Sequence, residues 1–424
     1  MKNMDNSTER KPWQTPTNEE QKKFPVRTCI GIVLGYFLWV GPYLGLVGVT
    51  VPKLVQDIDP ATKQNVIATM SAVAMIVATI SNIIWGGLSD RTRSRWGRRT
   101  PWIIVGSIGS FISIIAWSHA KTAFGVVVGD SVYVLFQNMI VAPLVAVIAD
   151  RTSEQFRGTM SGMYALGTAA AQGLGPVIGS HFLYNNTMGF YVMATMTLVS
   201  GPIAALILHE QSTKDMPVEK IDGWKAFSAN FVFPTHNARN FYLALFGKFM
   251  IIISQFAISG YTLYIFTDYI KLKGGAVQQY VSLISIILMI TAIIMSLISG
   301  PLADKMKVRK MPVITAGLII ALGVFVPRQT TNTWGMLAYA VIAGIGFGMY
   351  NSVDQALNID VLPNEKTAAK DLGLLNMANS AGQIFGPIVA ATAINMGGYG
   401  YIFPAACVSA VLGSILIFFI KGIK

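Results

Sequence analysis

Apolar residues run along this chain in blocks of roughly twenty, each closed by a short polar segment rich in Lys, Arg, Asp, Gly or Pro. A helix rising 1.5 Å per residue needs about that many apolar residues to cross the hydrocarbon core of a bilayer. Twelve such blocks are found, starting near Thr28, Val66, Pro101, Thr122, Gly158, Met188, Phe241, Val277, Met311, Trp334, Leu372 and Tyr401. The pattern predicts an all-α membrane protein of twelve transmembrane helices. The fourth, seventh and tenth blocks are the least purely apolar.

Composition agrees with lipid as the solvent. The 424 residues are 53% hydrophobic and 12% charged, with a mean hydropathy of +0.53. A soluble domain carries about 25% charged residues. The formal charge of +12 does not point to nucleic acid, because the basic residues sit between apolar runs instead of forming a basic face on a polar body. Residues 1–27 hold no apolar core of a cleavable signal and read as a mobile cytoplasmic tail. Cys29 and Cys407 each fall inside a predicted span, so no disulfide framework or thiolate metal site is expected. His119, His181, His209 and His236 show no ligand spacing, and no metal or cofactor is implied.

The distribution of positive charge gives the orientation. Of the 32 Lys and Arg residues, 25 fall in the tail, the loops after even-numbered spans and the C-terminus, six fall in the alternate loops, and Lys248 lies within a span. Positive charge stays on the cytoplasmic side, which predicts a cell-membrane protein with both termini cytoplasmic. Five of these residues, Arg91, Arg93, Arg95, Arg98 and Arg99, crowd the loop after span 2, where they also meet anionic headgroups.

An internal repeat divides the chain. "GGLSDR" at 86–91 returns as "GPLADK" at 300–305, and "AQGLGPVIG" at 171–179 returns as "GQIFGPIVA" at 382–390, at offsets of 214 and 211. The first pair follows spans 2 and 8, the second lies in spans 5 and 11. The expected organisation is a six-helix half at 28–208, a cytoplasmic linker at 209–240, a second six-helix half at 241–420 and a cytoplasmic end at 421–424. Repeated halves around a midplane site are the usual build of secondary transporters.

The motif G-x-L-[SA]-D-R followed by Gly-Arg-Arg resembles the loop 2–3 signature of the major facilitator superfamily. "SDRTRSRWGRRTPW", "FQNMIVAPLVAVIADRTSEQFRGTMSG" (136–162) and "YNSVDQALNIDVLPNEKTAAKDLGLLNMANSAGQ" (350–383) are similar to its sucrose and glycoside–pentoside–hexuronide branch. With the span count, the resemblance covers the chain after residue 27. It implies the major facilitator fold and a gating role for Gly86, Asp90, Arg91, Gly97, Arg98 and Arg99, echoed by Gly300 and Asp304. Asp90 would then cap or pair with a neighbouring helix end and an arginine across the interface between halves. Read without the resemblance, the same arginines are a topological anchor.

Ionisable groups inside spans mark functional sites by default, since placing them in hydrocarbon costs a few kcal/mol on insertion scales. Asp130 lies in span 4, Lys248 in span 7 and Asp354 in span 10. In the superfamily, spans 1, 4, 7 and 10 line the central path. Residues three, four and seven apart share a helix face. That aligns Asp130, Tyr133 and Gln137 with Asn138 beside them, and Lys248 with Gln255 and Ser259. Asn351, Asp354, Gln355 and Asn358 make a polar stripe in span 10. Asn376, Asn379 and Gln383 mark span 11, and Tyr36, Trp39 and Tyr43 form an aromatic stripe in span 1. Such a set suits a polyhydroxylated solute, amides meeting hydroxyls and aromatic faces covering the ring. The same amides also serve as helix glue, and the aromatics as an interfacial belt.

Depth along the helices sorts the charges. Lys248 lies ~12 Å in from the cytoplasmic end of span 7 at 1.5 Å per residue, and Asp354 at similar depth, so the two are placed to pair. Asp130 lies nearer the outer face and is the proposed proton-coupling carboxylate, with the Asp354–Lys248 pair as the alternative. Plant sucrose carriers also keep an acidic residue in span 4, though nearer the cytoplasm than Asp130. Sodium would want several carboxylates on one face, and the early spans offer none.

These features predict a secondary active transporter moving a small solute, a sugar or glycoside, by proton-coupled symport. The alternative is a proton-antiport exporter of drugs or amphipathic compounds, because "AQGLGPVIGS" partly resembles the Gly-Pro signature of superfamily antiporters. An enzyme is disfavoured: H-E-x-x-H, G-x-S-x-G and a Walker motif are all missing from the sequence. The expected partners are the solute, protons and the lipid bilayer, with no nucleic acid and no obligate protein partner.

Overall fold

A computed structural model describes residues 15–216, 233–235, 238–306, 308–363 and 368–423. Residues 1–14, most of the predicted linker and Lys424 lie outside the described residues, as does the side chain of Asp304. Among the described residues, twelve long helices follow the predicted blocks. They are α1 (Val26–Ile58), α2 (Lys63–Arg91), α3 (Thr100–Trp117), α4 (Ala123–Arg151), α5 (Glu154–His181), α6 (Asn186–Leu208), α7 (Arg239–Ser259), α8 (Gly275–Met306), α9 (Lys310–Phe325), α10 (Thr333–Asp360), α11 (Ala368–Gly397) and α12 (Ile402–Phe418). Each begins within about four residues of its expected position, the usual uncertainty of a boundary read from sequence.

The helices pack in two groups with the same internal plan. α1 lies against α5 and α6, α4 against α2 and α3, and α3 against α6; α7 lies against α11 and α12, α10 against α8 and α9, and α9 against α12. The groups meet where α5 packs on α8 and α11 on α2. Every contact of the first group thus has its counterpart six helices later, which is the sequence repeat expressed in three dimensions.

Among the described residues, ten helices are long and apolar enough to cross a membrane by length and composition. The remaining two are α5 and α11, at 28 and 30 residues. Length is not their deficit. They sit where the two groups meet, α5 on α8 and α11 on α2.

Small residues set the helix spacing. A Cβ on Gly175 or Gly179 of α5 would meet the carbonyl oxygens of Gly41 and Gly45 in α1, and one on Gly386 of α11 would meet Phe256 and Ala257 in α7. The Gly-Pro stretches in the two groups therefore do the same local job: they let a backbone approach its neighbour closely. The ends of α1 and α7 also match. Each passes through a π-helical turn, Leu46–Thr50 in the first and Ile265–Tyr269 just after the second.

Two polar segments are more ordered than the sequence suggests. The tail docks on the start of α5: Gln21 Nε2 donates to the Arg151 carbonyl at 3.1 Å, Ser153 N donates to Gln21 Oε1 at 2.7 Å, and Phe24 meets Phe156 edge-on. The start of the linker docks on the loop between α2 and α3, with Thr213 N donating to the Ser94 carbonyl at 3.0 Å and Arg93 Nε to the Met216 carbonyl at 2.8 Å. Residues 18–24 of the tail thus find polar and aromatic partners on exposed helix ends.

Candidate functional site

Three polar clusters hold most of the residues singled out above. The first surrounds Asp130. Seven residues into α4, this side chain is 1% exposed, and among the described residues neither carboxylate oxygen has a hydrogen-bond partner. Aromatic rings enclose it. Tyr43 of α1 stacks on Tyr133 with ring centres 5.7 Å apart, Tyr133 stacks on Trp117 at 6.1 Å, and Phe190 of α6 meets Trp117 edge-on at 6.0 Å. Gly129 leaves the room that Trp117 occupies, since a Cβ there would run into the indole. A polar group left unpaired in such a place is costly to the fold.

The neighbouring amide behaves differently. Asn138 accepts from Asn82 Nδ2 of α2 at 3.2 Å and donates to the Val134 carbonyl at 2.9 Å. The first bond ties α4 to α2, and the second stays within α4. Gln137 is buried beside it, at 5% exposure. Tyr36 and Trp39 pack in an aromatic group with Tyr164 of α5, at 4.9 Å between the first two rings and 4.3 Å from Tyr36 to Tyr164. Tyr36 thereby lies against α5, and Trp39 lies against Tyr36.

The second cluster lies between α7 and α10. Lys248 Nζ donates to Asp354 Oδ2 at 2.7 Å, and Asn358 Nδ2 donates to the same oxygen at 2.9 Å. All three residues are buried, and Tyr350 lies next to Asp354 one turn earlier on α10. The pairing expected from depth is present. The span 10 stripe splits, however: Asp354 and Asn358 face Lys248, while Asn351 and Gln355 are exposed. Asn376 is exposed, and Gln255, Asn379 and Gln383 are half-buried, so the structure does not gather these amides around the pair.

The third cluster is the arginine loop. Arg99, 5% exposed, donates from Nη1 to Ser89 Oγ at 2.6 Å and from Nε to Asp150 Oδ2 at 3.1 Å, and its Nη2 lies 2.6 Å from Asp90 Oδ1. Arg98 Nη2 reaches the other Asp150 oxygen at 2.5 Å. Planar guanidinium forks suit this kind of sharing. The partner of Asp90 is therefore Arg99, from the next helix of its own group, and the expected pairing across the interface is replaced by one within the group. The geometric reason is that α2 and α3 are joined by a short loop that brings both residues to one end of α4. Of the remaining motif residues, Gly86 has no atom of the described residues within 4 Å of a Cβ position, Arg91 lies at the exposed end of α2, and Gly300 lies near Ser352.

Sequence reasoning missed two members of this cluster. Glu210 Oε2 accepts from the backbone N–H of Arg99 at 2.9 Å, from that of Thr100 at 2.8 Å and from the Thr100 hydroxyl at 3.0 Å. It caps α3 with a negative charge where the helix dipole favours one. Gly97 makes the fit possible: its φ is +88°, and a Cβ would collide with the Glu210 side chain. The other is Asp150. Its bond to Arg99 returns as Arg309 Nη1 to Asp360 Oδ1 at 3.0 Å, both residues displaced by the same 210 positions. Extending the repeat search to the ends of spans 4 and 10 would have found it.

The family profile described as the Major Facilitator Superfamily matches residues 28–368, with a second, overlapping match over 251–423. Among solved structures, the chain is similar to a bacterial homolog of the human lysosomal transporter Spinster, crystallised inward-facing and unoccupied. That match has 14% identity, covers 94% of this chain and 95% of the other, and has a TM-score of 0.68. It is also similar to a peptide transporter POT in complex with sulfate, at 15% identity, 92% and 94% coverage and a TM-score of 0.70. A POT family transporter in complex with 5-aminolevulinic acid matches at 14% identity, 94% and 97% coverage and a TM-score of 0.72. At these identities the likeness speaks for the fold alone.

Proposed function

The chain belongs to the Major Facilitator Superfamily, and on that premise we propose that it is a proton-coupled symporter of a small polyhydroxylated solute, a sugar or glycoside. Membership makes it a multi-pass membrane transporter and not an enzyme. The proposed movement is alternating access, with the two six-helix groups rocking about a site between them.

The observation that carries the coupling is the contrast between two buried carboxylates. Asp354 is compensated by Lys248 and Asn358, whereas among the described residues neither oxygen of Asp130 has a hydrogen-bond partner. An uncompensated charge in a low-dielectric interior is costly. Binding a proton removes that cost, and rocking that lets water reach Asp130 on one side lets the proton leave. Asp130 is thus the proton carrier of this reading, and the Lys248–Asp354 pair fixes the geometry of the second group. Tyr43 and Tyr133 offer ring faces and hydroxyls beside the carboxyl, which is chemistry suited to a sugar ring. The exposed amides Asn351, Gln355 and Asn376 would meet its hydroxyls.

The exporter reading leaned on the Gly-Pro stretch of α5. Its glycines serve a close helix contact, and α11 uses its own Gly-Pro stretch in the same way. That leaves the stretch without a special bearing on direction.

The test uses proteoliposomes holding a pH-sensitive dye, offered a panel of mono- and disaccharides without a membrane potential. The expected result is sugar-evoked proton movement that Asp130→Asn removes. Silence with every sugar, together with proton release driven by lipophilic cations, would turn the reading over to an exporter.

A further inference from the structure

The two helix groups are bound together at the face opposite the termini. At the start of α2, Lys63 Nζ lies 2.6 Å from Asp268 Oδ2, across the interface in the π-helical turn after α7. The same ammonium sits 4.6 Å from the centre of the Tyr264 ring. Around it, Gln64 Nε2 donates to Asn395 Oδ1 at 3.1 Å, Asn395 Nδ2 donates to Asn65 Oδ1 at 2.8 Å, and the Tyr261 hydroxyl donates to the Gln64 carbonyl at 2.7 Å. On the termini side, Gly86, Gly87, Gly162 and Gly373 have no atom of the described residues within 4 Å of a Cβ position.

Lys63 is a poor choice for its own helix. It is the first residue of α2, where the helix dipole disfavours a cation, and it is only 6% exposed. Its surroundings compensate from the other group: one carboxylate and one aromatic face. Both contacts are lost if the groups part at this face, and the ammonium is then left to water at a helix N-terminus that disfavours it. The neutral amide bonds around it carry no such charge attraction to lose.

We propose that Lys63 and Asp268 form the releasable latch that holds the face opposite the termini closed, and that breaking this pair is the main step in opening it. The proposal rests on the alternating-access reading but on no choice of solute or coupling ion.

The experiment reads two distances by pulsed electron spin resonance in the full chain, with Cys29→Ser and Cys407→Ser as background. One label pair, Ala61→Cys with Met396→Cys, is exposed on the latched face. The other, Gly162→Cys with Gly373→Cys, occupies the uncrowded positions toward the termini. With Lys63 and Asp268 intact, the first pair gives one short distance. Lys63→Ala and Asp268→Ala should each add a longer population there and a shorter one at the second pair. The double variant should be no more open than either single one, because contacting residues of one interaction are not additive. Unchanged distances in the single variants would overturn the latch. So would lengthening at the first pair with no reciprocal shortening at the second, which is local fraying. No sugar or gradient is present, so a failed latch leaves the symport reading standing, and a failed sugar assay leaves the latch standing.

Discussion

Lys248 and Asp354 form a 2.7 Å ion pair inside the second helix group, with Asn358 sharing the carboxylate oxygen. Removing one member of a buried pair strands the other as an uncompensated charge, at about 3–5 kcal/mol, while replacing both by apolar groups is often neutral. Asp354→Leu should therefore lower the thermal midpoint in detergent clearly, and Lys248→Met with Asp354→Leu should recover most of the loss. Asp354→Asn should still insert in the membrane and abolish concentrative uptake. Full accumulation by that variant would remove the pair from the transport mechanism.

Asp130 should respond in the opposite sense. Its carboxylate has no hydrogen-bond partner among the described residues, so Asp130→Asn should leave the thermal midpoint unchanged or raise it. The same substitution should cut gradient-driven uptake by about tenfold or more, equivalent to 1.4 kcal/mol or greater, while solute exchange at equal pH persists. Loss of exchange along with uptake would make Asp130 a solute ligand and not a proton carrier.

Asp90 and Arg99 share one ion pair but not one environment. Asp90 is exposed, so Asp90→Ala should cost under about 1 kcal/mol of stability. Its effect should fall on turnover, slowing exchange between conformations more than solute binding. Arg99→Ala removes the buried fork that also holds Ser89 and Asp150, and should destabilise more. Parallel melting and transport measurements on the two variants would separate a gate from an anchor.

The α3 cap offers a purely structural check. Glu210→Ala should cost about 1 kcal/mol, the usual loss of a helix cap, and should make the segment after α6 easier to cut with protease. Gly97→Ala should cost more, because a side chain at a φ of +88° is strained and would strike Glu210. Equal melting of the parent and both variants would show that the cap contributes nothing.

Where the chain signalled its structure and where it did not follows from how each interaction is built. The helices were legible because each needs one local property, a run of apolar residues. The Lys248–Asp354 pair was legible because two isolated charges at matching depth in apolar runs have few other ways to be satisfied. Arg99 could not be singled out among the five arginines of its loop, since only the turn between α2 and α3 decides which one reaches Asp150. Glu210 sits in a polar stretch where a carboxylate raises no question. Lys63 and Asp268 are 205 positions apart, each just beyond an apolar block, and nothing local ties one to the other. The stripe on α10 was half right: helical spacing assigns residues to a face, but not which edge of that face the neighbouring helix covers.

The interface position of α5 and α11 also constrains how the protein is made. A segment entering the bilayer alone is retained according to its own side chains, and these two are the helices whose composition falls short. α11 packs on α7 and α2, both synthesised before it, so its berth is ready when it leaves the ribosome. α5 packs on α1, already in place, and on α8, which has yet to be translated. Between those two events one flank of α5 stands uncovered. That interval is when the nascent chain depends most on whatever insertion machinery shelters it.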